Sequence, residues 1–356
     1  MLDAPLGRLS RVKVPYCFLL LSLIPLAQAQ WSTKWPSRQL ESFFPAWNEN
    51  LREQLATVCS SELKTDRQSH KWAPYGTVEC LLKTFPEYRK TEIAASSVVL
   101  GLLPSILSVL GPSITDLALL ATRRPLLSLL LAVSSPAVNP QPHGKYASSI
   151  KKKLPLAQAP TGQNPNNRSL WKEIVVSLIE HAAAAGALLN VAILAYQLSI
   201  LCVTSYTLTF PYQPAIWVAL SIAIHFFSYL ALRLRVARTA RGKRRQGKGF
   251  LSSCATAFAA ELTPCKYQQP KTLKWRKKGF RLKVGRGLTW LLNFGIVAHI
   301  LFGTLALSGL LFISTADAIA VGARFFASTL VSQWIITYEL AGLKETTFLK
   351  QSVTGP

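Results

Sequence analysis

The sequence predicts an all-α protein: a polytopic membrane helical bundle of about five spans, carrying a small N-terminal lumenal or extracellular helical domain stapled by a disulfide. Three observations predict it. Half of the 356 residues are apolar, 16% are charged and mean hydropathy is +0.26, which is too apolar for an ordinary soluble domain. The apolar residues gather into runs near the ~20 residues that cross a bilayer as one helix. Between such runs, residues 233–286 hold seventeen Lys/Arg against the single acid Glu261, contributing +16 of the formal net charge of +24. Short loops rich in Lys and Arg stay on the cytoplasmic side, so this loop orients every segment before and after it.

Residues 1–29 read as a signal peptide: Arg8, Arg11 and Lys13, an apolar run from Tyr16 to Leu26, then Ala27-Gln28-Ala29 as the small-x-small cleavage pattern. An uncleaved anchor is the alternative, and either leaves the next segment lumenal or extracellular. Residues 30–92 are polar and nearly balanced, with nine Lys/Arg against eight acids. Leu51, Leu55, Val58 and Leu63 fall near helical spacing, as do Val78, Leu81, Leu82 and Phe85. Each stripe holds one cysteine. In an oxidising compartment, and in a core this small, Cys59 and Cys80 are expected to pair.

Residues 93–138 hold a first span, Ile93 to Leu110, and a second stretch, Ser113 to Ser135, interrupted by Asp116, Arg123 and Arg124. Burying both arginines mid-bilayer would cost about 2.5–3.5 kcal/mol each, so an interfacial or re-entrant segment is expected there. The run Glu79-Cys80-Leu81-Leu82-Lys83-Thr84-Phe85-Pro86-Glu87-Tyr88-Arg89-Lys90-Thr91-Glu92, followed by Gly101-Leu102-Leu103-Pro104, Gly111-Pro112 and Arg123-Arg124-Pro125-Leu126-Leu127, resembles a group of integral membrane proteins of filamentous fungi to which no activity is assigned. The resemblance covers about residues 75–138 and implies a lineage and a membrane location.

Residues 139–172, rich in Pro, Asn and Ser with the cluster Lys151-Lys152-Lys153, read as a flexible cytoplasmic loop. Residues 173–232 hold two spans. In the first, Ala182, Gly186 and Asn190 recur every four residues and suit close approach of another helix, from this chain or from a second copy. The basic loop at 233–286 is expected to lie on the cytoplasmic leaflet with Arg244, Arg245, Lys274, Arg276, Lys277 and Lys278 toward anionic phospholipids, and with Trp275 and Phe280 interleaved. Because the charge sits between spans, the lipid bilayer rather than nucleic acid is its expected partner. Residues 287–343 hold the last two spans, and 344–356 form a cytoplasmic tail. Parity then gives five crossings, with Asn167-Arg168-Ser169 a glycosylation sequon on the cytoplasmic side.

No nucleotide-binding loop, HExxH or nucleophile elbow occurs, so no cofactor and no enzyme activity are expected. Polar groups at membrane depth remain: Asn190, His225, His299 and Arg324 are expected to cluster, with Arg324 pointing inward and the face of Gly295, His299 and Gly303 admitting its helix. Two function classes follow. One is a membrane scaffold or sensor of the secretory pathway, in the plasma membrane or an endomembrane; the other is a transporter or channel using the polar residues.

Overall fold

A computed structural model describes residues 39–68, 74–139, 146–154, 170–238, 258–269, 271–276 and 278–349. The signal-peptide reading, Asn167, Arg244, Arg245 and Lys277 fall outside these. Three short helices open the described chain, α1 (Asn48–Thr57), α2 (Ser60–Gln68) and α3 (Tyr75–Thr84). The expected bond is present: Cys59 and Cys80 are joined with their Cα atoms 5.9 Å apart, tying the start of α2 to α3.

Five helices are long and apolar enough to cross a membrane: α4 (Glu87–Leu110) and, further on, α8 (Leu170–Leu201), α9 (Gln213–Arg235), α10 (Phe280–Ser308) and α11 (Thr315–Thr346). Between α4 and α8 lie α5 (Ile114–Ala121), α6 (Pro125–Ser134) and α7 (Tyr146–Lys153). The long helices pack in cyclic order, α4 on α10, α10 on α9, α9 on α8, α8 on α11 and α11 on α4. Each begins before its apolar stretch in the sequence. The basic stretch 280–286, expected in a loop, forms the first turns of α10, where Leu282 is buried and Gly285 lies against Ala231, Leu234 and Arg235 of α9.

At one end the strands β1 (Val203–Thr204) and β4 (Leu310–Leu311) pair antiparallel, and Val203, Leu208 and Phe312 share a core with Phe43, Trp47, Leu51, Leu81 and Phe85. Phe312 adopts φ 65°, unusual for a bulky residue, and its ring meets Phe43 and Phe85 edge-on. The disulfide-bonded helices are thereby continuous in packing with this end of the bundle.

At the other end, the structure adds detail to three segments. The stretch 113–135 is a helical hairpin, α5 and α6, wedged among α8, α9 and α11 with every residue of α5 buried. The loop at 139–172 carries the helix α7, whose Ile150 and following Leu154 enter the main core and whose Lys153 binds Asp116. The basic loop is also partly built in: β2 (Val236–Arg238) pairs antiparallel with β3 (Lys271–Trp275), which pairs parallel with β5 (Thr347–Leu349). The apolar Leu273 and Cys265, hidden in the sequence among cations, drive this docking.

Candidate functional site

The turn between α5 and α6 carries Arg123 and Arg124, 4% and 0% exposed. Burying a guanidinium among apolar helices carries a desolvation cost. That cost is met by partners. Arg124 donates through Nε to the carbonyl of Glu261 at 2.9 Å, through Nη2 to Ser177 Oγ at 2.7 Å, and through Nη1 to Glu180, with Glu339 Oε1 at 2.8 Å from the same nitrogen. Charge-assisted bonds of this kind are about twice as strong as neutral ones. Arg123 donates to the carbonyls of Gln269 (2.8 Å) and Thr346 (2.9 Å) and to Thr347 Oγ1 (2.8 Å). It therefore completes the last turn of α11, where carbonyls lack helical partners and a cation is favoured.

The acids are positioned as carefully. Glu261 Oε1 accepts from the backbone N–H of Leu127 at 2.7 Å, capping an orphan donor at the start of α6 with negative charge. Glu339 Oε2 accepts from Cys265 N at 3.2 Å, and Thr346 donates to the Cys265 carbonyl at 3.0 Å. Gly342 lets this segment approach, since a side-chain carbon there would lie 2.5 Å from the Lys266 nitrogen. His181 donates through Nδ1 to the Ser177 carbonyl at 2.8 Å and turns Nε2 toward Glu261 at 3.7 Å. Burial holds the Cys265 thiol well above its ordinary range, so it acts as a packing group. The arrangement binds two arginines, two spans, the hairpin and the loop into one network.

The four residues expected to cluster do not share one site. Arg324 donates through Nε to Asn190 Oδ1 at 2.9 Å and through Nη1 to Gln197 Oε1 at 3.2 Å, while Asn190 donates to the Arg324 carbonyl and to Ser328 Oγ. This joins α8 to α11. His299 instead donates to the Trp217 carbonyl at 2.7 Å and stacks on that indole, and His225 makes no hydrogen bond among the described residues. Gly303 packs against Trp217 of α9, not against α11, and nothing lies within 4 Å of a side chain added at Gly295. His299 sits where α10 meets α9, and His225 is buried on α9; neither bonds Arg324. Of the basic set, Lys274 and Lys278 are exposed and Arg276 is half-buried.

Glu180, Glu261 and Glu339 were missed, though a signal existed. Beyond residue 139 the chain holds six acids; two carboxylates, of Glu180 and Glu339, pair with Arg124, and Glu261 meets it through the backbone carbonyl. No protein-family model, curated protein or solved structure matches this chain, so the resemblance of residues 75–138 rests on those motifs alone.

Proposed function

We propose that this multi-pass membrane protein is a non-enzymatic scaffold or sensor of the secretory pathway whose basic, cytoplasmic end binds anionic phospholipid. The supporting observation is the start of α10. Lys278, Arg281, Lys283 and Arg286 are exposed there beside Phe280 (80% exposed) and Trp290 (63%). Cations and aromatics on one rim suit a headgroup layer: the rings enter the interface and the cations meet phosphate. Each such cation contributes about 1 kcal/mol near an anionic surface, screened by salt. The purified full-length protein, delipidated and titrated with anionic or neutral phospholipid, should retain the anionic lipid preferentially and release it in salt. Replacing Lys278, Arg281, Lys283 and Arg286 by Gln should remove the preference. Equal retention of both lipids by the unaltered protein would refute the reading.

A transporter or channel is the second reading. It is favoured by buried polar atoms of the long helices, the ring of His225 on α9 with Asn293 Oδ1 and His299 Nδ1 on α10, which have no hydrogen-bond partner among the described residues.

A further inference from the structure

The disulfide end holds a groove of about 600 Å³ lined by α3, α4 and the chain between α8 and α9, within the ~300–1,000 Å³ of ligand clefts. Val78, Ile93 and Leu208, at most 6% exposed, form its floor, and the half-buried Leu82 lies one helical turn from Val78. The polar residues lie at the rim. Tyr75, Glu79 and Lys83 recur every four residues along α3, so they form one row with the ring, the acid and the base in order. Lys90 of α4 completes the rim.

The groove stands at the membrane boundary. Thr315, which opens α11, donates through its backbone N–H to Glu92 Oε1 at 3.2 Å and through Oγ1 to the Glu92 carbonyl at 3.3 Å. Ile93 is therefore level with the start of the apolar stretches of α4 and α11. Tyr206 and Tyr212, on either side of Leu208 in the chain, are half-exposed, as suits side chains of the headgroup layer. At this level the apolar matter at hand to cover such a floor is an acyl chain.

The rim selects among lipids. Glu79 and Lys83 are 2.7 Å apart, and Lys90 bonds Glu87 at 2.8 Å, both as exposed pairs. Exposed pairs of this kind contribute little, so a ligand bearing both charges replaces them at small cost. We propose that the groove binds a zwitterionic phospholipid of the leaflet at the disulfide end, with one acyl chain on Val78, Leu82, Ile93 and Leu208. The phosphate lies at Lys83 and Lys90. The ammonium group lies between Glu79 and the Tyr75 ring, the pairing by which aromatic faces recognise quaternary ammonium. This site is at the end opposite the start of α10, and it does not rest on the cations there.

The test uses full-length protein, delipidated in detergent and titrated with a phosphatidylcholine that carries a photoreactive group in one acyl chain. After illumination, saturable label should be recovered on α3 around Leu82 as well as at Ile93. Unlabelled phosphatidylcholine should compete for it about tenfold better than phosphatidylglycerol of the same chains, which has the phosphate without the ammonium. Tyr75→Ala, at an exposed position, should weaken binding about two- to five-fold. Leu82→Trp should fill the groove and remove most of the label from α3 while the Cys59–Cys80 bond still forms. Replacing Lys278, Arg281, Lys283 and Arg286 by Gln should leave all of this unchanged, which separates the groove from the basic end. Absence of label from α3, equal competition by the two lipids, or undiminished label in Leu82→Trp would overturn the proposal.

Discussion

Arg124 and Arg324 are both charges in an apolar bundle, and they are held in opposite ways. From Thr315 to Glu339 along α11 is about 36 Å at helical rise, longer than the ~30 Å hydrocarbon core, whereas Arg324 lies only about 14 Å in. The fully buried arginine therefore sits near the basic-end interface and is met by carboxylates. The arginine inside the hydrocarbon is half-buried and met by amide oxygens of Asn190 and Gln197. Where headgroups and water are close, ionised acids can be gathered around a cation; deeper in, neutral acceptors satisfy a guanidinium without adding further charge. The first arrangement fails badly when one member is lost. The second fails mildly.

The largest expected effect follows from Arg124→Ala. With Glu180 and Glu339 left facing each other, the folded state should lose about 3–5 kcal/mol, read as unfolding in detergent micelles. Replacing Arg124, Glu180 and Glu339 together by apolar residues should recover most of that loss, since a whole buried ion cluster is often no better than good packing. A single Arg124→Ala variant within about 1 kcal/mol of the parent would break the contrast. Next comes Cys59→Ala, which touches neither arginine. It should cost about 3 kcal/mol by releasing the closed loop, and an unchanged melting profile under non-reducing conditions would count against the disulfide's structural weight. Glu261→Ala strips the start of α6 of its cap and should cost about 1–3 kcal/mol. Hydrogen exchange should quicken at Leu127 first, and unaltered protection there would refute the capping role. The smallest effect is expected from Arg324→Leu, about 1 kcal/mol from two interhelical bonds of ~0.6 each. If it unfolds the protein as readily as Arg124→Ala, the two sites are not different in kind.

The apolar runs made the five long helices legible, and the cysteine spacing in a small polar segment made the disulfide so. The hairpin was half legible. Hydropathy registers Arg123 and Arg124 as a cost but cannot register Glu180 and Glu261, 56 and 137 positions away, that offset it. Local chemistry was readable and passed over: Ser113 with Asp116, and Ser314 with Asp317, are reciprocal caps that start α5 and α11. Of the expected cluster, Asn190 and Arg324 meet, while His225 and His299 stand apart for a geometric reason. Similar depth in the bilayer does not decide which helices are neighbours. Hydropathy also flattened the basic loop, where Leu273, Cys265 and Glu261 are buried while Lys266, Lys271 and Lys274 stay exposed.

The partners of the hairpin turn have a further consequence, for the time at which this protein can be finished. Arg123 reaches Thr346 across 223 positions of chain, and ribosomes add about 5–20 residues each second. For some ten seconds or more after the arginines emerge, their closing partners have not been made. The hairpin must therefore be held by the insertion machinery or left at the water boundary until α11 arrives. Chains truncated before Glu339 should therefore present an arginine pair without its closing partners.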